Sequence, residues 1–272
     1  MKIIADNTIP YLKGIAEPVA DVAYLDSKAF TPERIKEADA LIVRSIDKCT
    51  PQLLAGSRVK LITTATIGFD HIDTAYCESQ GIAWTNAPGC NAASVAQYVL
   101  NGLVTLALRT GEPLRGKTLG IVGVGHVGSI VARYAEVMGM RVLRNDPPRA
   151  EREGGEGFVS LAQIAAESDV VTLHVPLTKE GVHPTYHLAN AAFFGQLAKR
   201  PWLINSCRGA VHDTAALLAA KREGLISQLI IDCWEQEPTI SRTLLSEASL
   251  ATPHIAGFSA DGKANGTRAC LQ

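Results

Sequence analysis

The chain has 272 residues, 47% of them hydrophobic and 19% charged, which is enough apolar side chain to fill real cores and excludes extensive disorder. Lys and Arg number 26 against 27 Asp and Glu, so a net charge of −1 gives no bulk-charge basis for a nucleic-acid or membrane-surface partner. At ~150 residues per domain, the length predicts two domains. No apolar run approaches the ~18–20 residues of a membrane-spanning helix, and the opening Met1-Lys2-Ile3-Ile4-Ala5-Asp6 has no signal-peptide core. The six cysteines form no CxxC pair, so a reduced, cytoplasmic protein is expected.

In chain order, Lys2–Ala5, Ala40–Val43, Leu61–Thr64 and Ile82–Trp84 read as strands. Between them Pro32–Asp39 and Pro51–Ala55 read as helices, each with a threonine at the cap and a proline at the first helical position. Ala92–Arg109 is one long helix with Val95, Val99, Leu103 and Leu106 near one face. Gly111, Pro113 and Gly116 then break the chain and suit a domain junction. A second series follows, with strands at Thr118–Val122, Arg141–Arg144, Val170–Leu173, Trp202–Ile204, Leu229–Ile231 and Ser249–Ala251. Helices fit at Val127–Met138, Leu161–Glu167, Ala191–Leu197 and Thr214–Arg222, while the charged, Gly-rich Arg149–Gly157 reads as a loop. Strand–helix alternation of this kind predicts doubly wound parallel sheets.

Residues 123–128 read Gly123-Val124-Gly125-His126-Val127-Gly128, and alone such a cluster is a weak signal. Here it follows a strand, opens a helix, and precedes Asp146 by 18 residues counted from Gly128. That is the dinucleotide fingerprint. Gly123 allows the turn, Gly125 admits the pyrophosphate, and Gly128 allows close helix–strand packing. The helix start offers N–H groups and a positive dipole end to phosphates. Asp146 would accept from a ribose diol and repel a 2′-phosphate, which favours NAD. The plainer reading of Asp146 is a turn residue before Pro147-Pro148, and the flanking Arg144 and Arg149 could each meet a 2′-phosphate.

Three later residues each sit just after a strand: Arg208, Glu237 and His254. Ligands of open α/β sheets gather at carboxyl ends of strands. Arginine offers a planar fork to a carboxylate. Histidine, with an ordinary pKa of ~6.5, suits proton transfer near neutrality. A glutamate on its second ring nitrogen would fix the ring and stabilise its protonated form. The plainer reading of any one of them is a surface residue or a satisfied core residue.

These residues, in this order after the fingerprint, resemble the D-2-hydroxyacid dehydrogenases. Val43-Arg44-Ser45, Thr64–Asp73, Ala87-Pro88-Gly89-Cys90-Asn91, Ile121–Gly128, Asp146-Pro147-Pro148-Arg149-Ala150, Cys207–Val211 and Thr252–Gly257 carry the resemblance across nearly the whole chain. The third and fifth of these favour a member acting on a phosphorylated hydroxy acid. The resemblance implies two Rossmann-like domains with the active site in the cleft between them. They would be a substrate domain of residues 1–92 plus 254–272 and an NAD domain of residues 93–253. It implies His254 as acid/base, Glu237 as its partner and Arg208 as carboxylate anchor. Gly123, Gly125, His126, Val127, Gly128, Asp146, Val175, Asp232 and Gly257 would line NAD, and Arg44, Ser45, Thr66 and Phe258 the substrate. Three positions depart from the family pattern: Val175 stands for a threonine, Phe258 for a tyrosine and His126 for an asparagine. The family is homodimeric through a C-terminal domain that does not appear before Gln272, so a monomer or weak self-association is expected.

Other signals are weaker. His183 and His187 have a metal-ligand spacing, but Pro184 disfavours a helix through them, and no metal is expected. Cys207 and Cys233 read as packing residues. Arg44 is either a solvated loop charge or a phosphate partner. Two other functions fit the same motifs: a different D-2-hydroxyacid dehydrogenase, of phosphoglycerate or glyoxylate/hydroxypyruvate type, or a non-catalytic NAD-sensing corepressor module.

Overall fold

Apolar residues alternate along the strands, and the alternation decides which helices each strand face receives. A computed structural model describes all residues, 1–272. Eleven strands form two sheets, and every pair is parallel. The chain divides into a first unit, Met1–Asn91 with Phe258–Gln272, and a second, Ala92–Gly257.

The first unit holds β1 (Lys2–Asp6), β2 (Asp21–Leu25), β3 (Ala40–Val43), β4 (Leu61–Thr64) and β5 (Ala83–Thr85), in the order β2-β1-β3-β4-β5. Ile4, Leu41, Val43 and Ile62 face one side, packing with Ile35 of α1 (Pro32–Ile35), Leu53 and Leu54 of α2 (Pro51–Leu54) and Cys77 of α3 (Thr74–Ser79). Ile3, Ala5, Ala40 and Ile42 face the other side with Ile9 and Leu12. The β2 strand was not legible in the sequence. It is an edge strand, half-buried without a full apolar face.

The second unit opens with α4 (Ala92–Thr110) and holds β6 (Thr118–Val122), β7 (Arg141–Asn145), β8 (Val170–Leu173), β9 (Trp202–Asn205), β10 (Gln228–Ile231) and β11 (Leu250–Ala251). Their order is β11-β10-β9-β8-β6-β7. Leu119, Ile121, Val170, Trp202, Ile204 and Ile230 face α4 and α5 (His126–Val137), where Val99, Leu103, Leu106, Val131 and Ala135 meet them. Val122, Val171, Leu173, Leu203, Leu229 and Ile231 face the opposite side. There α7 (Leu161–Glu167), α8 (Ala191–Phe194), α9 (Thr214–Arg222) and α10 (Arg242–Glu247) supply Ile164, Phe193, Phe194, Leu217 and Leu244. The break at Gly111–Gly116 lies inside this unit, between α4 and β6.

The expected loop Arg149–Gly157 is corrected. Pro147–Glu153 forms α6, capped by the Asp146 side chain accepting from Arg149 N–H at 3.1 Å, and only Gly154 onward leaves the helix. Its side chains all stay accessible, so no apolar period marks it. The chain ends in α11 (Ala260–Ala269), back in the first unit, where Thr267 donates to the Pro10 carbonyl at 2.8 Å.

Both sheets reverse direction at the same place. Counted from its own first strand, the first sheet runs 2-1-3-4-5 and the second 2-1-3-4-5-6, so each has a switch point between its first and third strands. In the first unit that point lies beyond Asp6 and Val43, and in the second beyond Val122 and Leu173. These are fold-imposed crevices for ligands.

Candidate active site

At the second unit's switch point, β6 runs into the glycine loop and α5 begins at His126 with Gly125 as its cap. Gly128 packs so tightly that a Cβ there would lie 2.1 Å from the Gly123 carbonyl oxygen. Over Gly125 a Cβ would meet nothing within 4 Å, and Gly125 and His126 are both exposed. The loop is thus tight against its own strand and open on the side where the N–H groups of the first helical turn point. A dinucleotide pyrophosphate fits that arrangement. Val127 and Val175 are half-buried beside it, and the Val175 side chain packs at Gly123.

Asp146 faces the same loop. One carboxylate oxygen accepts from Val124 N–H at 2.8 Å and the other from Arg149 N–H at 3.1 Å. Arg149 returns to the loop, donating to the Val124 carbonyl at 2.6 Å, and pairs with Glu153 on α6. Asp146 therefore braces the glycine loop as well as facing it. Each oxygen keeps a second lone pair for a further donor.

The neighbouring strands β9, β10 and β11 end together, and their following loops carry Arg208, Glu237 and His254. His254 Nδ1 lies 2.9 Å from Glu237 Oε2, with the two side chains 45% and 36% exposed. The other oxygen of Glu237 accepts from Trp234 N–H at 2.7 Å. His254 takes a left-handed backbone, φ 55°, unusual for a non-glycine residue. Its N–H donates to the Asp232 carbonyl at 2.8 Å, and the Asp232 carboxylate accepts from Ile255 N–H at 2.8 Å, Ala256 N–H at 2.9 Å and Thr252 Oγ1 at 2.6 Å. Asp232 is wholly buried, so its carboxylate organises the His254 loop from below. Gly257, half-buried, closes that loop.

Arg208 sits half-buried one position before Gly209. A Cβ on Gly209 would lie 2.0 Å from both the Trp234 carbonyl carbon and its oxygen, so the Arg208 and Glu237 loops touch backbone to backbone. His187 joins the same two loops. Its N–H donates to the Ala210 carbonyl at 2.8 Å, and its Nε2 lies 2.6 Å from Glu235 Oε1. His183 instead pairs with Glu151 at 2.8 Å, so the two histidines have separate partners. Neither Gly209 nor His187 was singled out as a support in the sequence. The signal for Gly209 was its place beside Arg208; His187 had none, because Glu235 is 48 residues away. Cys233 is fully buried behind the loop, and Cys207 is half-buried.

In the first unit Arg44 follows β3, half-buried, and donates to Thr8 Oγ1 at 2.8 Å. Thr8 in turn donates to Asp6 through its N–H at 2.6 Å and through its hydroxyl. The Arg44 N–H donates to Asp47 Oδ2 at 2.8 Å. Asp6 and Asp47 are both buried, and their carboxyls interact. Burial, with the Asp6 carboxyl beside it, pushes Asp47 up to about 6. Burial opposes the charge on Asp6 too, but hydrogen bonds from Thr8 and Ser27 hold it below the usual range. Ser45 is exposed next to Arg44, and Thr66 Oγ1 lies 2.7 Å from Thr64 Oγ1 and donates to the Gly68 carbonyl at 2.8 Å. Phe258 is 66% exposed, with the Lys263 ammonium 3.4 Å from its ring centroid. The carboxyl pair was not foreseen, since nothing in the sequence brings residues 6 and 47 together before the order β1-β3 is known.

Comparison with known proteins bears on this geometry. A family model described as "D-isomer specific 2-hydroxyacid dehydrogenase, NAD binding domain" matches residues 91–256. A Porphyromonas gingivalis protein named erythronate-4-phosphate dehydrogenase is 58% identical over 273 residues, covering 100% of this chain and 74% of its own length. A Bacteroides thetaiotaomicron protein of the same name is 56% identical, covering 100% of this chain and 78% of its own. Among solved structures, an Aquifex aeolicus D-lactate dehydrogenase complexed with NAD and lactic acid superimposes with a TM-score of 0.81 at 28% identity. That match covers 99% of this chain and 92% of the other. An NAD⁺-bound 3-phosphoglycerate dehydrogenase from Entamoeba histolytica gives 0.83 at 30% identity, with the same coverage.

Two consequences can be measured. Gly128→Ala drives a methyl into backbone that cannot give, so it should cost about 1–3 kcal/mol of stability and weaken NAD binding; a calorimetric titration with unchanged affinity would show that helix and loop can separate freely. Asp47 has a folded-state pKa above its unfolded value. Its contribution is therefore fully present below pH 3.8 and lost as pH rises through about 6. Asp47→Asn should remove that loss: urea unfolding should show the variant gaining on wild type between pH 4 and 7, and parallel curves would mean that burial does not raise Asp47.

Proposed function

This chain belongs to the D-isomer specific 2-hydroxyacid dehydrogenases, and we propose that within the family it oxidises 4-phospho-D-erythronate at C2 to (R)-3-hydroxy-2-oxo-4-phosphobutanoate, a step of pyridoxal 5′-phosphate synthesis. It is an NAD-dependent oxidoreductase. The choice of substrate rests on the 58% and 56% identities to relatives bearing the erythronate-4-phosphate dehydrogenase name, against 28% and 30% for the lactate and phosphoglycerate enzymes. The observation that carries the chemistry is the 2.9 Å contact between His254 Nδ1 and Glu237.

With Nδ1 turned to Glu237, Nε2 is the nitrogen left to receive the proton of the substrate's C2 hydroxyl. The Glu237 carboxylate holds the ring in that orientation and stabilises the imidazolium that forms. Arg208 takes the substrate carboxylate in a two-point grip and sets the face presented to the cofactor. NAD, when bound, would supply the nicotinamide that accepts the hydride leaving C2. The backbone around Gly125, His126 and Val127 is assigned to its pyrophosphate and Asp146 to its ribose. Asp232 keeps the His254 loop in place. Arg44, Ser45, Thr66 and Phe258 are assigned to the substrate, with Arg44 as the partner of its phosphate. A cytoplasmic location is part of the same proposal; no helix of the chain is long and apolar enough to cross a membrane.

A substrate panel tests the assignment. Turnover with NAD should be most efficient for 4-phospho-D-erythronate, and higher kcat/KM for 3-phosphoglycerate or D-lactate would move the chain elsewhere in its family. Absence of turnover with every 2-hydroxy acid, together with tight NAD binding, would favour the NAD-sensing module. His254→Ala should lower kcat by at least ~10², the usual scale of general acid–base catalysis, while NAD binding stays nearly intact; wild-type turnover would remove His254 from the reaction. Arg208→Lys keeps the charge but loses the planar fork, so kcat/KM should fall about 10- to 100-fold. Unchanged kinetics would make the arginine structural.

A further inference from the structure

One titratable group beside the proposed acid–base pair has no part in the reaction. The Cys233 thiol is fully buried and donates weakly to the Cys207 carbonyl at 3.4 Å. Cys233, Glu237 and His254 each offer one donor atom, and the three atoms lie within 4.8 Å of one another. We propose that they form a site for a thiophilic divalent cation of the zinc type, and that its occupancy reversibly shuts the enzyme down.

The donor set selects the ion. A thiolate, an imidazole and a carboxylate together suit zinc, cobalt(II) or cadmium, whereas magnesium and calcium want oxygen ligands throughout. Tetrahedral zinc has bonds of about 2.0–2.3 Å, which places its donors roughly 3.3–3.7 Å apart. The Nδ1–Oε2 pair, at 2.9 Å, therefore opens by a few tenths of an ångström, while the thiol, within 4.8 Å of both, closes by up to about an ångström. A fourth position stays open to water, as in zinc sites with three protein ligands.

The ligands sit on loops that are already fixed. Glu237 is tied to Trp234 N–H at 2.7 Å. His254 is tied to the Asp232 carbonyl, and Cys233 directly follows Asp232 in the chain. Little ordering remains to be done when the ion arrives. Binding is a proton exchange. The thiol proton leaves to solvent, and the imidazole changes tautomer: Nδ1 gives up its proton, Nε2 takes one from solvent, and Nδ1 turns its freed lone pair to the metal. The carboxylate exchanges its contact with Nδ1 for the cation. The ring then has no free lone pair for the substrate's hydroxyl proton, so turnover stops until a chelator removes the metal. This inhibition rests on the role proposed above for His254, but the binding itself does not.

The experiment keeps the two apart. The full chain, freed of metal, is titrated with cobalt(II) and followed by absorption. Thiolate-to-cobalt charge transfer in the near ultraviolet is expected, with the visible bands of four-coordinate cobalt. Zinc should displace cobalt, and zinc should inhibit turnover reversibly. Cys233→Ser should abolish the charge-transfer band, weaken zinc at least ~10-fold and leave metal-free turnover unchanged. Cys233→Ala is read the same way if the serine variant fails to fold. A band that survives in these variants would place the cobalt on one of the other five cysteines and overturn the proposal. Absence of any thiolate band in the wild type would overturn it too. Thiolate-bound cobalt in a protein that turns over no 2-hydroxy acid would instead sink the proposed function and leave the metal site standing.

Discussion

The carboxylate of Asp232 is the constraint on which the rest of the proposed site depends. It is wholly buried, a position in which an unpaired charge would be very costly. It is held there by three donors, Thr252 Oγ1, Ile255 N–H and Ala256 N–H. Two of these belong to the backbone that carries His254, and the arrangement keeps His254 in a left-handed conformation it would not choose alone. Thr252 extends the anchorage outward. Tyr98 of α4 meets its hydroxyl at 2.6 Å, and Trp234 donates from its ring to the Thr252 carbonyl at 2.8 Å. The imidazole is thus positioned by a buried anion and two aromatic side chains, none of which need touch a substrate.

The same device recurs at other strand ends. Asp146, after β7, accepts from the N–H of Val124 and holds the glycine loop. Asp6, ending β1, accepts from Thr8 and from Ser27 at 2.7 Å, and so supports the loop that meets Arg44. A parallel sheet leaves the backbone N–H groups just beyond its strands without partners, and a short acidic side chain at the strand end can gather several of them. Charge-assisted hydrogen bonds of this kind are the strong ones. They make rigid loops out of segments whose sequence shows no regular period.

That explains what the sequence could and could not disclose. The glycine fingerprint, the long helix α4 and the apolar strands β6, β8, β9 and β10 are legible because their signals are local: a fixed spacing, a 3.6-residue face, a short β-branched run. Arg208 and Glu237 were reachable because each follows such a strand, and His254 because it follows the expected strand Ser249–Ala251. The supporting contacts were not. His187 with Glu235, Asp6 with Asp47, and Gly209 against Trp234 join residues that only the order of strands brings together. The α6 helix was missed for a different reason. Its cap and prolines were visible, but a helix with no buried residue has no apolar face to announce it.

The contact of Gly209 with Trp234 also limits how the site can vary. Arg208 and Glu237 stand on separate strands, yet their loops meet with no side chain between them, and His187 bridges both through Ala210 and Glu235. A shift of Arg208, the proposed carboxylate anchor, therefore shifts Glu237, the group proposed to orient the base. In a packed interior such couplings are stiff, because backbone cannot repack as side chains do. Among the residues assigned above to the substrate, Ser45 and Phe258 are exposed, and on that proposed reading substrate length or charge would be altered most easily there. The proposed chemistry is confined to the part of the chain that tolerates least change, and the proposed choice of substrate is left to residues that tolerate more.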